Sequence, residues 1–254
     1  MIDFNTSPKQ YRHWELEIEG RVAFLKLAVD QDAGLHPGYT LKLNSYDLGV
    51  DIELHDAVQR LRFEHPEVGS VVLTSERDRV FCSGANISML GLSSHGHKVN
   101  FCKFTNETRN GIEDATNHSG QTYIAAVNGP CAGGGYELAL ACDYRIASSG
   151  KKTKIGLPEV QLGLLPAWGG CTRLPRLIGI TRAITAITSG KAFPARKALA
   201  LGMIDAMVGE ESLASDAMKW FARGKRKRPG RAGLFKRILG VIVGFVAKRK
   251  IRKK

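Results

Sequence analysis

The stretch from Tyr123 to Asp143 constrains the fold of this chain more than any other. Residues 123–127 form a short apolar run typical of a buried strand, and Asn128-Gly129-Pro130 follows as turn chemistry. Three glycines, Gly133 to Gly135, then precede a run of helix formers. A helix start leaves backbone amides without intrahelical partners, and glycine has no Cβ to keep a ligand away. The pattern therefore predicts a strand, a sharp turn and a helix whose start favours an anion or a developing oxyanion.

Glu137 lies within about the first turn of this predicted helix. A carboxylate so close to an anion site indicates proton chemistry. An acid in a first helical turn is also ordinary compensation of the helix dipole, and taken alone this second interpretation is favoured. The role of Glu137 therefore depends on what else the chain brings to the same place.

The charge of the chain is concentrated at one end. The formal net charge is +13 over 254 residues, and residues 224–254 contain 13 Lys or Arg and no acids. The first 223 residues hold 24 basic and 24 acidic side chains. The body is thus formally neutral, and the composition gives no basic nucleic-acid-binding face there.

Cysteine usage and the N-terminus bear on compartment. Five cysteines, odd in number and widely spaced, are best explained as buried thiols in a reducing compartment. No Cys/His spacing of a metal site is present, so we assign no metal. The first residues lack the pattern of a signal peptide, and a cytoplasmic location is expected.

Strand and helix patterns alternate along the chain, which predicts an α/β layered fold. Strands are expected at 14–19 and 22–29 as a hairpin, and at 70–74, 123–127, 144–147 and 203–208, with a short extended segment at 41–45. Helices are expected at about 48–62, 99–117, 174–187 and 193–201. We expect a first domain over residues 1–208 and a C-terminal helical segment over 209–254.

Two further segments are typical of a site. Phe81-Cys82-Ser83-Gly84-Ala85-Asn86 is a small-residue turn after a strand, where a glycine permits close approach to a ligand, although a plain strand-to-helix turn explains it locally. Leu157-Pro158-Glu159 predicts a short helix with an acid in its first turn, followed by a close-packed turn from Gly163 to Gly170.

Together these three segments, in order and spacing, resemble the crotonase (enoyl-CoA hydratase/isomerase) superfamily. The resemblance implies a crotonase-like ββα superhelix with a C-terminal helical trimerisation region, a homotrimer or hexamer, and a coenzyme A thioester as substrate without a further cofactor. The amides of Ala85 and Gly134 match the family's oxyanion hole, and Glu137 and Glu159 match its two hydratase carboxylates. Substrate-binding candidates are Lys42, Asn44, Gly84 and Gly133.

The chain is similar to different branches of the superfamily along its length. Residues 2–143, including 43–51 and 100–110, look like benzoyl-CoA-dihydrodiol (2,3-epoxybenzoyl-CoA) ring-opening lyases, and Asn86 matches that branch where plain hydratases commonly have Asp. From Asp143 onward the chain resembles the hydratase part of multifunctional fatty-acid-oxidation proteins. The composite is a natural hybrid, a fragment or a fusion. Its resemblance predicts a 2-enoyl-CoA hydratase, with aromatic ring opening as the alternative and a non-catalytic acyl-CoA-binding or membrane-associated module as a third class.

The basic tail contains ten consecutive non-polar residues, 238–247, too few to span a bilayer. Three interpretations remain for it: a helix that packs on a neighbouring subunit or domain, a membrane-surface helix, or a nucleic-acid contact. Aromatic interleaving is absent, so nucleic acid is the least favoured of the three and is not expected as a partner.

Overall fold

The computed structural model describes residues 2–224. The strands are β1 (Trp14–Glu19), β2 (Val22–Leu27), β3 (Ser45–Tyr46), β4 (Ser70–Ser75), β5 (Gly84–Ala85), β6 (Thr122–Val127), β7 (Cys131–Ala132), β8 (Tyr144–Ser148), β9 (Lys154–Gly156), β10 (Ala192–Pro194) and β11 (Ala206–Val208). The helices are α1 (Leu48–Phe63), α2 (Ile87–Leu92), α3 (His95–His118), α4 (Gly134–Ala141), α5 (Gly170–Ile178), α6 (Ile180–Ser189), α7 (Ala195–Leu201) and α8 (Leu213–Lys219). Short 3₁₀ turns occur at Pro8–Gln10, Lys42–Asn44, Glu159–Leu162 and Trp220–Arg223.

A six-stranded sheet in the order β1-β2-β4-β6-β8-β11 organises the fold. The β1–β2 hairpin is antiparallel and every other neighbouring pair is parallel. Parallel strands are covered on both faces, which is why β4 and β6 are almost continuously buried. Alternate side chains divide between the two faces, so that Val71 and Leu73 join the main core while Val72 packs with Leu213 and Ala217 of α8.

Helix α1 follows from a strong start signal. The Asp47 carboxylate accepts hydrogen bonds from the amides of Gly49 and Val50, at 2.9 and 3.3 Å, which is an N-cap. The same carboxylate accepts from the Leu35 amide and the Tyr39 hydroxyl. Asp47 therefore fixes both the helix start and the preceding loop.

Four predicted elements differ in the structure. Residues 41–45 are not simply extended: Leu43 and Asn44 have φ of 56° and 51°, in a turn that the Asn44 side chain ties to its surroundings. Helix α3 begins at His95, four residues earlier than expected, because Ser94 caps it. The helix expected over 174–187 is broken at Gly179, whose φ of 85° ends α5.

The helix predicted over 193–201 also begins later. Phe193 and Pro194 belong to strand β10, which pairs with β9, and α7 starts at Ala195. The other predicted strands and helices are present with bounds shifted by a few residues. The predicted apolar segment at 238–247 and the basic tail after residue 224 lie outside the described residues.

Candidate active site

The two glycine-containing loops predicted from the sequence, at 81–86 and before α4, are hydrogen-bonded directly to each other. The amides of Phe81 and Cys82 both donate to the Pro130 carbonyl at 3.1 Å, and the Ala132 amide donates back to the Cys82 carbonyl at 3.0 Å. The backbones of Cys82 and Cys131 also pair as an isolated parallel β-bridge, and both side chains are free thiols. The turn at 81–86 and the turn before α4 thus form one backbone unit.

Glycines allow this close approach. A Cβ on Gly84, which has φ of 86°, would lie 2.7 Å from the Gly134 amide nitrogen. A Cβ on Gly135 would lie 2.5 Å from the Cys82 carbonyl oxygen. Side chains at these positions would separate the loops, so the glycines bring the Ala85 segment against the start of α4. At that start, the first amides have no intrahelical acceptor.

Glu137 projects from the first turn of α4 into the protein interior. It is only 2% exposed, and its Oε1 accepts a hydrogen bond from the Gly170 amide at 2.8 Å. Burial, aided by the nearby Glu159 charge, raises the pKa of Glu137 to about 7, although the Gly170 amide opposes the rise. Near neutral pH this carboxyl group can therefore both hold and release a proton.

Glu159 reaches the same place from another element. Strands β7 and β9 pair in parallel, and the Gly133 amide donates to the Gly156 carbonyl at 3.0 Å. A Cβ on Gly133 would lie 3.0 Å from Glu159 Oε1, so the carboxylate lies against this glycine. Glu159 Oε2 is buried without a hydrogen-bond partner among the described residues, and burial raises the pKa of Glu159. Both predicted carboxylates therefore lie beside the start of α4.

Trp168 forms a wall of the site, although no role was predicted for it from the sequence. A Cβ on Gly134 would lie 2.1 Å from Trp168 Cζ3, so the indole rests on that glycine. The ring also packs edge-on against Phe101, with centroids 4.9 Å apart. Its loop is fastened to α3 by the Asn106 side-chain amide, which donates to the Ala167 carbonyl at 2.8 Å. The sequence feature that could have indicated Trp168 is the presence of an aromatic residue inside the Gly163–Gly170 turn.

A buried ion pair, also missed from sequence, lies next to this wall. Arg109 of α3 and Asp51 of α1 are both fully buried and bonded through Arg109 Nη1. The Thr108 hydroxyl donates to Asp51 Oδ2 at 2.7 Å. The Arg109 guanidinium carbon is 5.1 Å from the centroid of the Trp168 ring. Arg109 and Asp51 are charged residues within the amphipathic patterns of two different helices, and nothing in those patterns predicts that they pair.

The predicted substrate-binding residues fall into two groups. Gly84 and Gly133 lie in the site as described above. The side chain of Asn44, 2% exposed, donates to Ser75 Oγ and to the Leu27 and Phe81 carbonyls, so these hydrogen bonds hold the loop together. Lys42 is exposed, two residues before Asn44. Asn86 caps α2 through the Met89 amide at 2.8 Å. Coenzyme A binding by Lys42 and Asn44 stays a prediction.

Metal-binding clusters and membrane-spanning helices are both absent from residues 2–224. No group of three or more His, Cys, Asp or Glu side chains there could hold a metal ion. No helix in the same range is long and apolar enough to cross a membrane.

The fold and the site together define a class of protein: a parallel α/β sheet that presents two interlocked glycine loops and a pair of carboxyl groups with raised pKa values. Residues 40–242 match the enoyl-CoA hydratase/isomerase family, and the chain belongs to it. Its fold is accordingly the crotonase fold.

Individual relatives point the same way. Over 175 residues the chain is 62% identical to the benzoyl-CoA-dihydrodiol lyase of Aromatoleum evansii, covering 68% of this chain and 32% of that protein. It is 36% identical over 220 residues to a fatty acid oxidation complex subunit alpha of Shewanella loihica, covering 82% of this chain and 29% of that one. An enoyl-CoA hydratase structure from Geobacillus kaustophilus is 31% identical, with a TM-score of 0.74 over 84% of this chain and 74% of that one.

The chain spans about a third of the length of these two curated relatives. The two branches that the sequence resembles, ring-opening lyases and fatty-acid-oxidation proteins, both occur among its relatives, and that resemblance is confirmed.

Proposed function

We propose that this chain is a CoA-thioester lyase of the hydratase type, which adds water across the α,β double bond of a 2-enoyl-CoA. The observation that carries the proposal is that Glu159, which lies against Gly133, and Glu137, in the first turn of α4 and bonded to the Gly170 amide, are close enough to interact electrostatically. Each acid alone is explained by its position at a helix start, but that explanation does not account for both at one glycine loop.

The amides of Ala85 and Gly134 are the proposed oxyanion hole. In this role they donate to the thioester oxygen as negative charge develops on it during attack at the β-carbon. The loss of one such donor typically costs about 2.7–4 kcal/mol of transition-state stabilisation. The start of α4 adds the favourable field of a helix N-terminus, which further stabilises the enolate-like state.

The two carboxyl groups divide the proton transfers. One activates the water that attacks the β-carbon, and the other supplies the proton to the α-carbon. The raised pKa of both groups supports this division, since a general acid near neutral pH needs a carboxyl that retains its proton. Either glutamate can be the acid in this scheme.

A second candidate function is the ring opening of 2,3-epoxybenzoyl-CoA. It is favoured by the 62% identity to a benzoyl-CoA-dihydrodiol lyase. The same oxyanion hole and carboxylates serve both reactions, and the difference lies in the acyl pocket.

Turnover distinguishes the two functions. Incubation with crotonyl-CoA should remove the absorbance of the conjugated thioester. Activity on 2,3-epoxybenzoyl-CoA with none on crotonyl-CoA would reverse the order of the two candidates. If neither ester is turned over and coenzyme A gives no thermal stabilisation, the non-catalytic binding module becomes the better account.

The remaining expectations extend this proposal to the assembly and the cell. We propose a homotrimer or hexamer in the cytoplasm, with coenzyme A as part of the substrate and no other cofactor. The tail interpretations, a membrane surface or a partner subunit, concern residues outside the described part of the chain. Co-sedimentation with vesicles, by the full chain and by a chain ending at Arg223, tests the first; equal pelleting would contradict it.

A further inference from the structure

Buried polar groups without partners lie beside the proposed site. Arg109 has five N–H donors. Its Nη1 group bonds Asp51 Oδ1 and the Thr105 carbonyl, but Nε and Nη2 have no hydrogen-bond partner among residues 2–224. The Tyr46 hydroxyl is also buried without a hydrogen bond in that range, and it lies close enough to Arg109 to interact with it electrostatically. Unpaired donors on a buried cation are costly, so a group that accepts from them would bind favourably.

These groups adjoin both halves of the proposed oxyanion hole. Tyr46 pairs in register with Ala85 in the β3–β5 ladder, and its carbonyl accepts from the Asn86 amide at 2.8 Å. Trp168 rests on Gly134. The Arg109 guanidinium carbon is 5.5 Å from the Tyr46 ring centroid and 5.1 Å from that of Trp168. An acyl group whose thioester oxygen meets Ala85 and Gly134 therefore has these two rings and the guanidinium as neighbours.

Charge balance indicates which acceptor fits. Asp51 neutralises Arg109, and Glu137 is close enough to interact electrostatically with the guanidinium. A second anion would add repulsion without an unbalanced positive charge to offset it. A neutral oxygen, such as a hydroxyl, carbonyl or epoxide oxygen, can accept from Nε and Nη2 without that repulsion.

We propose that Arg109 and Tyr46 form a subsite for a neutral oxygen on the acyl group, so that the substrate is an oxygen-bearing aromatic or enoyl CoA ester. The subsite rests on the proposed function, because it needs the thioester held at Ala85 and Gly134. The guanidinium is fully buried and the Trp168 indole rests on Gly134, so the subsite requires the indole to give way to the acyl group. Aromatic walls on two sides favour a planar ring as the oxygen's carrier.

The test compares esters that differ by one oxygen. Calorimetry with the full chain gives dissociation constants for benzoyl-CoA, 2-hydroxybenzoyl-CoA and 3-hydroxybenzoyl-CoA. The proposal predicts that at least one hydroxybenzoyl ester binds about tenfold or more tightly than benzoyl-CoA, as expected for hydrogen bonds to a charged group. Equal affinities for all three would overturn the subsite and leave the proposed function standing. Failure of every benzoyl ester to bind would also overturn the subsite, and turnover of crotonyl-CoA then decides the proposed function separately.

Two variants assign the preference to these residues. Arg109→Lys keeps a positive charge opposite Asp51 but lacks the Nε and Nη2 donors, and should reduce the preference to within about twofold. Tyr46→Phe removes only a hydroxyl that has no partner, so the protein should fold normally while the preference falls by about two- to tenfold. If Arg109→Lys does not fold, Tyr46→Phe decides the test.

A matched control removes another buried, unpartnered hydroxyl. Tyr123 is fully buried, and its hydroxyl likewise has no partner in the described part of the chain, but it lies at the far end of β6 near Asp143. Tyr123→Phe should leave the hydroxybenzoyl preference unchanged. An equal fall in both tyrosine variants would contradict a specific role for Tyr46.

Discussion

Glu137 combines burial with a proposed role in proton transfer. Its carboxyl group is 2% exposed, accepts one hydrogen bond from a backbone amide and lies near a second carboxylate. Burial disfavours the ionised form, and a neighbouring negative charge disfavours it further. The residue therefore destabilises the folded protein at a pH where it is charged, which is a cost that a catalytic position can impose on the fold.

This environment makes stability depend on pH. The pKa rises from 4.5 to about 7 on folding, so the folded protein binds the proton more tightly than the unfolded chain between those values. The contribution of Glu137 protonation to the free energy of unfolding is fully present below about pH 4.5 and is lost as the pH rises through about 7. Glu137→Gln should therefore be more stable than the parent at pH 8, by up to about 3 kcal/mol, and no more stable at pH 4. Urea denaturation at both pH values measures the difference.

Glu159→Gln is the matched control, because Glu159 is less buried. The gain in stability of Glu159→Gln at pH 8 should be smaller than that of Glu137→Gln. A Glu137→Gln gain that is equal at pH 4 and pH 8 would mean that the carboxyl does not change its ionisation on folding.

Sequence alone selected the two acids that the structure brings together, but not their surroundings. Glu137 and Glu159 stand next to local signals, a glycine run and a Pro-Glu pair, that can be seen within a few residues. Trp168 and Arg109 reach the site only through contacts with α3, α1 and Gly134 that are distant in sequence. Long-range pairing of this kind leaves no local pattern for Arg109, and the aromatic residue in the Gly163–Gly170 turn did not indicate what it would contact.

At the scale of elements, the site depends on two loops held at backbone contact. Hydrogen bonds join the loop at 81–86 to the turn before α4, and Gly84 provides the space between them. The small sheet of β7, β9 and β10 then brings Glu159 to the same turn. No single element forms the site, and its geometry depends on how closely the loops approach.

Gly84→Ala should damage both stability and activity. The alanine would have to adopt the φ of 86° that Gly84 has, and its Cβ would lie 2.7 Å from the Gly134 amide nitrogen. The backbone strain costs about 1–2 kcal/mol, and the overpacking adds about 1–3 kcal/mol. Gly20→Ala is the control, since Gly20 has φ of 58° with nothing within 4 Å of the new Cβ. Chemical denaturation should show a loss of only about 1–2 kcal/mol for Gly20→Ala, and equal losses in the two variants would contradict loop contact at Gly84.

Element prediction succeeded where the signal was periodic and failed at breaks. The hairpin of β1 and β2 and helix α1 follow from alternating and near-helical apolar spacing. The break at Gly179 and the change from strand to helix after Pro194 depend on backbone conformation and on pairing with β9. Apolar spacing continues past Gly179, and Pro194 is typical of a helix start, so the sequence predicted longer helices than those that form.

At the scale of the whole molecule, the surface carries an apolar patch that suggests subunit contact. The patch follows Glu159 and comprises Val160, Leu162, Leu164 and Leu165, exposed by 41%, 52%, 47% and 71%. Helix α6 packs beside this turn, where the Gln161 side chain donates to the Gly190 carbonyl at 2.7 Å. Exposed leucines grouped in this way are typical of a protein interface.

Leu165→Asp should therefore weaken the proposed homotrimer. Light scattering of the parent chain should give about three times its 27.7 kDa mass for a trimer or about six times for a hexamer, and the variant should shift toward the monomer as it is diluted. Phe63→Asp, at an exposed position at the end of α1, is the control and should leave the mass unchanged. A monomeric parent chain would contradict the proposed assembly.

The proposed function rests on two carboxylates that act on one thioester. The most direct test is the Glu137→Gln/Glu159→Gln double variant, compared with each single variant on the ester that the parent turns over. Loss of general acid–base catalysis should lower kcat by at least about 10²-fold in each single variant and below detection in the double variant. Calorimetry should show that the double variant still binds the CoA ester. An active double variant would contradict the mechanism proposed for this site.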